Sequence, residues 1–564
     1  MVSLSAACAV VLATVAVGVV PAQGDLSPSA LRSTMASWPP PTPEMLSHIS
    51  DCRQAVIGGG WSGVYAAYRL AAADPENAAT VCLFEASHRL GGRTLSVPID
   101  GTEFILDLGA YRFSPDMHLP GDIILKLLKI PTKCYEPTCP KASEEFPKPF
   151  MFNYTAPLEV IIDPDTQIPR GYGSALNKLA MEAQGLGVKI YSQTRLVDLV
   201  PSNSKDRASL TLTPVASTPA TITPRVTVLN LPRQHMLSLP SLASTMPTRN
   251  QAILKCVAFE VPKRLGPIDT DSLKPTSALS KAYVYYTDAW WRTKLSLIEG
   301  QFPDNGFWPM NTTQGIRLLM HWNDGAMACS TDSDGVEACH GFLQVYYSVS
   351  NETFYSGVPK DLNTPDGVIR RSDSDSSSAR MLDTLHAAIL EALQPVLQSA
   401  GVSAQELPTP ELLAVGVWRR PDEKHPLAQG YEYTAPTKVY WSSDISGSPA
   451  KACSLDGLTE AEYISTILQP YGKEQPIYLA NNDYCIQDFK YMYGDWAEDS
   501  LTQAERAMHR LGLPRPDWLD EEYYAKKIES VESSLAKEMS GQQKSVLKVS
   551  ALKRSTLVRA VTDA

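Results

Sequence analysis

An α/β fold built around a parallel sheet is predicted by three observations. Strand, glycine turn, helix, strand and acid follow one another between Val56 and Glu85. A second, paired-glycine turn at Gly91-Gly92 comes directly after that unit. Later segments are rich in strand-forming runs that can return to the same sheet.

The elements take shape in chain order. Val56-Ile57 closes a strand and leads into Gly58-Gly59-Gly60-Trp61-Ser62-Gly63. Gly58 permits a tight turn, Gly60 lets the backbone approach a diphosphate, and Gly63 lets helix and strand pack closely. The run from Val64 to Ala73 reads as a helix, and the turn at Trp61-Ser62 delivers its free N–H groups and positive dipole end to phosphates. Val81 to Phe84 reads as the next strand. Glu85, with Ala86 beside it, follows Gly63 by 22 residues, near the spacing of about 20 expected for an acid that hydrogen-bonds a ribose. A carboxylate there suits an unphosphorylated ribose, as in FAD or NAD. The unit is Rossmann-like. In the second turn, Gly91 and Gly92 bring backbone amides near a diphosphate, and Arg93 adds a charge-assisted fork.

At 564 residues the chain exceeds one ordinary domain, so two interleaved domains are expected. Hydrophobic content of 44% and charged content of 20% describe a globular chain with a sizeable core. A net charge of −11 argues against nucleic acid or an anionic membrane as the main partner. Residues 1–22 read as a signal peptide ending Val20-Pro21-Ala22, with a retained signal anchor as the alternative, since no basic residue opens the segment. A secreted chain is therefore expected, and three sequons, at Asn153, Asn311 and Asn351, fit a glycoprotein. Of ten cysteines, Cys134 with Cys139 and Cys329 with Cys339 are close enough to close small loops, though pairing is not readable from sequence. Residues 23–50 read as a proline-rich extended linker, 202–224 as a surface hairpin or insertion, and 371–380 as a mobile polar loop. No metal site is expected.

Arg89, Gly91, Gly92, Arg93 and Ser96 resemble the Arg-x-Gly-Gly-Arg-x-x-Ser/Thr signature of the flavin amine oxidase superfamily, and the chain is most similar to its secreted L-amino acid oxidases. The resemblance implies a Rossmann-like FAD-binding domain of the glutathione-reductase type, amine oxidase branch, interleaved with an α+β substrate domain. On that basis 51–115, 176–265 and 456–515 would bind FAD, 116–175 and 266–455 would form the substrate parts, and 516–564 a helical tail.

Individual segments extend the likeness. Val188 to Leu199 resembles the strand pair whose backbone meets the adenine, at Leu196, and Val226 to Pro232 resembles the strand that follows. Gly109-Ala110-Tyr111-Arg112 resembles the Gly-x-Met-Arg segment that runs past the flavin, where Arg112 would grip a substrate carboxylate. Lys281, ten residues before Trp291, resembles the lysine that holds a water against flavin N5. Tyr347, or alternatively Tyr346, resembles a carboxylate-binding tyrosine. Tyr431 follows Gly430 where covalent relatives carry a cysteine, which implies non-covalent FAD. Tyr478-Leu479-Ala480 matches a final flavin segment, but Asn481-Asn482 replaces Gly-Glu. Trp496 and Ala497 would flank flavin and substrate, with Asp495 standing in place of a glycine, or Gly494 filling that place after a one-residue shift.

The implied reaction converts an amino acid, read as the L-form, to a 2-oxo acid, ammonia and hydrogen peroxide, with oxygen as acceptor. Lys281, Arg112, Tyr347 and Trp496 would form the catalytic set. Rivals are a monoamine or polyamine oxidase with Asp495 holding a cation, a desaturase or prenyl-type oxidase, and a flavoprotein scaffold without turnover. A homodimer is left open, and no stable membrane partner is expected.

Overall fold

The computed structural model describes residues 35, 37–135, 158–215, 217–255, 279–297, 301–302, 310–311, 313, 317–321, 327–331, 333–335, 337–346, 368–371, 376–418, 439–440, 459–484, 486–487, 497–531 and 533–534. Five strands, β1 (Gln54–Ile57), β2 (Val81–Phe84), β3 (Lys189–Tyr191), β4 (Val226–Leu229) and β5 (Ile477–Leu479), form a parallel sheet in the order β5-β4-β1-β2-β3. From β1 the chain builds outward to β2 and β3 on one side, then returns to β4 and β5 on the other. That reversal opens a crevice at the carboxyl ends of the strands, where α/β sheets bind ligands.

Strand alternation sorts side chains onto two cores. Val56, Leu83, Ile190, Val228 and Tyr478 join one cluster. Ala55, Ile57, Phe84, Tyr191 and Leu479 join the other. On the first face helix α1 (Trp61–Ala73) packs against both α2 (Gly173–Gly185) and α3 (Ala497–Arg510). A buried ion pair ties α1 to α3: Arg69 Nη1 donates to both Glu505 carboxylate oxygens, at 2.7 and 2.9 Å, and the Tyr65 hydroxyl donates to one of them at 2.6 Å. Cys52, just before β1, is disulfide-bonded to Cys82 in β2. The Cys329–Cys339 disulfide is also present, Cys134 is disulfide-bonded, and Cys139 lies outside the described residues.

A second, antiparallel sheet runs Gln301–Phe302, Arg317–His321, Glu337–Tyr346, Leu279–Tyr286, Leu412–Trp418, Val368–Arg370. One face packs on Leu382, Leu385 and Ile389 of the Ser376–Ala392 helix. The opposite face packs on Val97, Leu106 and Leu108 of the hairpin that follows the second glycine turn. This docking brings the antiparallel sheet to the crevice of the parallel one.

Three expectations change. The polar stretch 371–380 is not wholly a loop, because a helix opens at Ser376 to bury Met381, Leu382 and Leu385. The proline-rich stretch is docked: Trp38 is buried, its Nε1 donates to Asn177 Oδ1 at 2.9 Å, and Pro43–Ser47 is helical. The start of the helical tail, residues 519–531, is docked, since Tyr523, Tyr524 and Ile528 are buried in the core that holds α3. No helix among the described residues is long and apolar enough to cross a membrane.

Candidate active site

A cavity of about 550 Å³ lies at the carboxyl ends of the parallel strands. That volume is within the usual range for small-molecule sites, roughly 300–1,000 Å³. Its lining begins at the first glycine turn with Gly58, Gly60 and Trp61. Gly58 has φ +99°, and a Cβ there would stand 2.4 Å from the Asn230 carbonyl oxygen, so only glycine fits. Gly63 serves packing: its Cβ would stand 1.8 Å from the Gly58 carbonyl oxygen. Ser62 donates to the Ala480 carbonyl at 2.6 Å, fastening α1 to the end of β5. Ser62 and Gly63 thus shape the turn without lining the cavity.

Glu85 and Ala86 line the cavity at the end of β2. The Glu85 carboxylate accepts from the Gly59 and Ser87 amides, each at 2.7 Å. A carboxylate has about four acceptor positions, so two hydrogen bonds leave capacity for ribose hydroxyls. Leu196 lines the wall beside them.

The second glycine turn faces the first. Gly91, Gly92 and Arg93 line the cavity, and a Cβ on Gly92 would stand 4.0 Å from the Cα of Gly60. Bare backbone thus meets bare backbone across a slot that a diphosphate can enter. Arg89 is not in the lining; it braces the turn by donating to the carbonyls of Gly92 at 2.9 Å and Leu90 at 3.3 Å.

Asn481 and Asn482 also line the cavity. Asn482 Oδ1 accepts from Arg93, and Asp483 Oδ1 lies 3.3 Å from the same guanidinium. Asp483 in turn accepts from the Arg233 amide at 3.0 Å, and its own amide donates to Asn481 Oδ1 at 2.9 Å. Asn481 donates to Asn230 at 3.0 Å, and Asn230 donates to the Gly58 carbonyl at 3.3 Å. One polar chain therefore links the first turn, β4, β5 and the second turn. Asp483 thus places a buried carboxylate directly after the Asn481-Asn482 pair, behind the cavity lining and against Arg93. Neither Asp483 nor Asn230 was singled out from sequence; the available signal was a polar residue just beyond a buried strand at the crevice edge.

The segment Gly109-Ala110-Tyr111-Arg112 lines another wall. Gly109 has no room for a side chain, since its Cβ would stand 2.0 Å from the Arg93 carbonyl oxygen. The Arg112 guanidinium lies 4.7 Å from the ring centres of both Tyr111 and Tyr135. Lys281, from the Leu279–Tyr286 strand, reaches the same wall and is buried. Its Nζ donates to the carbonyls of Asp107 at 2.8 Å and Gly109 at 3.0 Å. Asp107 is buried; its carboxylate accepts from Ser96 and from the Tyr172 amide at 3.0 Å. Burial pushes the Asp107 carboxyl up to about 7, with the nearby Lys281 ammonium and these hydrogen bonds pulling back.

Two buried polar atoms bear on whether a ligand fits. Trp61 Nε1 and the Tyr172 hydroxyl find no hydrogen-bond partner among the described residues, and both side chains line the cavity. Buried donors are normally satisfied, so a polar ligand in this space would complete them. Burial also raises the Tyr172 hydroxyl, keeping it a neutral donor. Ala497, at the start of α3, closes the lining. Tyr347 and Trp496 lie outside the described residues, as do Asp495 and Tyr431; Tyr346 is described only as the end of its strand.

Residues 56–119 match a family model described as an NAD(P)-binding Rossmann-like domain. This range holds both glycine turns, Glu85 and Arg112, and agrees with the mixed α/β, Rossmann-like fold seen here. No curated protein matches the chain. Among solved structures, the chain is similar to a putrescine oxidase triple mutant made in a redesign of cofactor binding. Identity is 13% and the TM-score 0.40, over 81% of this chain and 99% of that one.

Proposed function

We propose that this chain binds FAD non-covalently and oxidatively deaminates an amino acid, read as the L-form, to a 2-oxo acid, ammonia and hydrogen peroxide. The observation that carries the reading is the charge layout of one cavity. It joins two facing glycine turns to Arg112 and Lys281, and Glu85 is the only carboxylate among its described lining residues. Such a lining suits an anionic dinucleotide and a substrate with its own carboxylate.

Glu85 would hold the ribose, and Leu196 would lie by the adenine. The N-terminus of α1, the Gly91-Gly92 amides and Arg93 would meet the diphosphate, and Gly109 to Tyr111 would lie along the ring system. Bound FAD supplies a two-electron acceptor for the substrate Cα–H and passes the electrons to oxygen. Arg112 orients the substrate: its guanidinium lies 4.7 Å from the ring centres of both Tyr111 and Tyr135, which hold it against one wall, and its planar fork of donors suits a bidentate carboxylate pair. The imino product then hydrolyses to the 2-oxo acid and ammonia. We further place the protein outside the cell after loss of residues 1–22; the disulfides fit an oxidising compartment.

Arg112→Met tests the reading. Two charge-assisted hydrogen bonds at about 1.5 kcal/mol or more each correspond to a roughly 100-fold rise in KM for amino acids. Amines without a carboxylate should be nearly unaffected. Equal effects on both classes would remove Arg112 as the carboxylate anchor.

A further inference from the structure

We infer that Lys281 is a positioning residue that clamps the Asp107–Arg112 segment and thereby aims Arg112, rather than a holder of catalytic water. The inference rests on the amino acid reading above. An ammonium has three N–H donors and no lone pair. Two donors go to the carbonyls of Asp107 and Gly109, at 2.8 and 3.0 Å. The third direction is taken by the Tyr111 ring, whose centre lies 3.4 Å from Nζ. With its donors engaged by protein, the group has nothing left to order a water.

The same contacts place Lys281, Tyr111 and Arg112 in series. Tyr111 packs edge-to-face on Tyr135 with centres 5.6 Å apart, their hydroxyls 3.3 Å apart, and Arg112 lies against both rings. The anchor of the clamp is rigid. Lys281 pairs with Gly416 on the neighbouring strand, and a Cβ at Gly416 would stand 2.5 Å from the Leu108 carbonyl oxygen. The sheet therefore lies directly on the segment that its lysine ties down.

The test compares the flavin-loaded wild type with Lys281→Met, Tyr111→Leu and Tyr111→Phe. Flavin absorbance reports the Kd of benzoate and of neutral benzamide, and stopped flow reports reoxidation of the reduced flavin by oxygen. Hydrogen exchange across residues 107–113 is followed in the flavin-free protein. In Lys281→Met and Tyr111→Leu, benzoate should bind at least tenfold more weakly, with a smaller change for benzamide and faster amide exchange, and Lys281→Met should lose less than tenfold in reoxidation rate. Tyr111→Phe keeps the ring and loses only the hydroxyl contact to Tyr135, so it should weaken benzoate by less than threefold. A tenfold or greater loss of reoxidation rate in Lys281→Met overturns the inference, as does unchanged benzoate affinity or unchanged exchange. Should Lys281→Met not fold, Tyr111→Leu carries the benzoate and exchange outcomes, and Lys281→Gln, which keeps a donor but no charge, carries the reoxidation outcome. Failure of the underlying reading looks different: the wild type itself would retain no flavin, or bind benzoate and benzamide alike, while exchange would still decide the clamp.

Discussion

Replacing Asp107 with Asn should flatten a pH dependence of stability that the wild type carries. The carboxyl is buried beneath Lys281, accepts from Ser96 and Tyr172, and is pushed up to about 7 by burial. In the unfolded chain it titrates near 3.9. The folded value is the higher one, so the native protein holds a proton that the unfolded chain has released. Stability from this group is fully present below about pH 4 and is lost as pH rises through about 7. Between pH 5 and 8 the loss integrates to about 2.5 kcal/mol, at about 1.36 kcal/mol per pKa unit. Glu498, pushed to about 8 by burial, acts with the same sign, so the wild type should decline by more than Asp107 alone requires. Subtracting Asp107→Asn isolates one group. Urea unfolding of both proteins from pH 5 to 8 should show the difference moving in favour of the Asn variant by about that amount. A difference constant across the range would refute the reasoning.

Two further outcomes follow from the geometry. Asp483→Ala removes the carboxylate that fixes Arg93 and the Arg233 amide, and should raise the Kd of FAD about tenfold, or ~1.4 kcal/mol, in a fluorescence titration; an unchanged Kd would free Arg93 from that dependence. Replacing both Cys52 and Cys82 by Ala opens a bridge spanning 30 residues and should cost about 3.5 kcal/mol in denaturant unfolding, whereas equal stability would mean the bridge constrains nothing in the unfolded chain.

Legibility in the sequence followed locality. The strand from Val81 to Phe84, the glycine turns and Glu85 announce themselves within a short window, because spacing and alternation are local consequences of backbone geometry. The first helix is longer than the sequence suggested, opening at Trp61 rather than Val64, because its glycine-rich first turn hides the apolar period. Ser62, Gly63 and Arg89 belong to the motifs yet work by packing and bracing, a distinction that only the surrounding backbone reveals. Asn230, Asp483 and Tyr172 escaped notice because their partners lie far away in sequence, and Ser96 was legible as a motif residue but not as the partner of Asp107. Lys281 was legible as a site residue, but its engagement by two carbonyls and a ring depends on how one sheet docks on another hairpin. The Cys52–Cys82 pair was invisible for the same reason, as it depends on β2 lying beside β1.

The most direct measurement is peroxide release by the purified, FAD-loaded protein against L-amino acids, D-amino acids, monoamines and polyamines. The account predicts turnover of L-amino acids and none of amines lacking a carboxylate. Turnover of amines alone would contradict it and move the substrate anchor away from Arg112, and silence on every substrate with flavin bound would leave a flavoprotein scaffold in place of an oxidase.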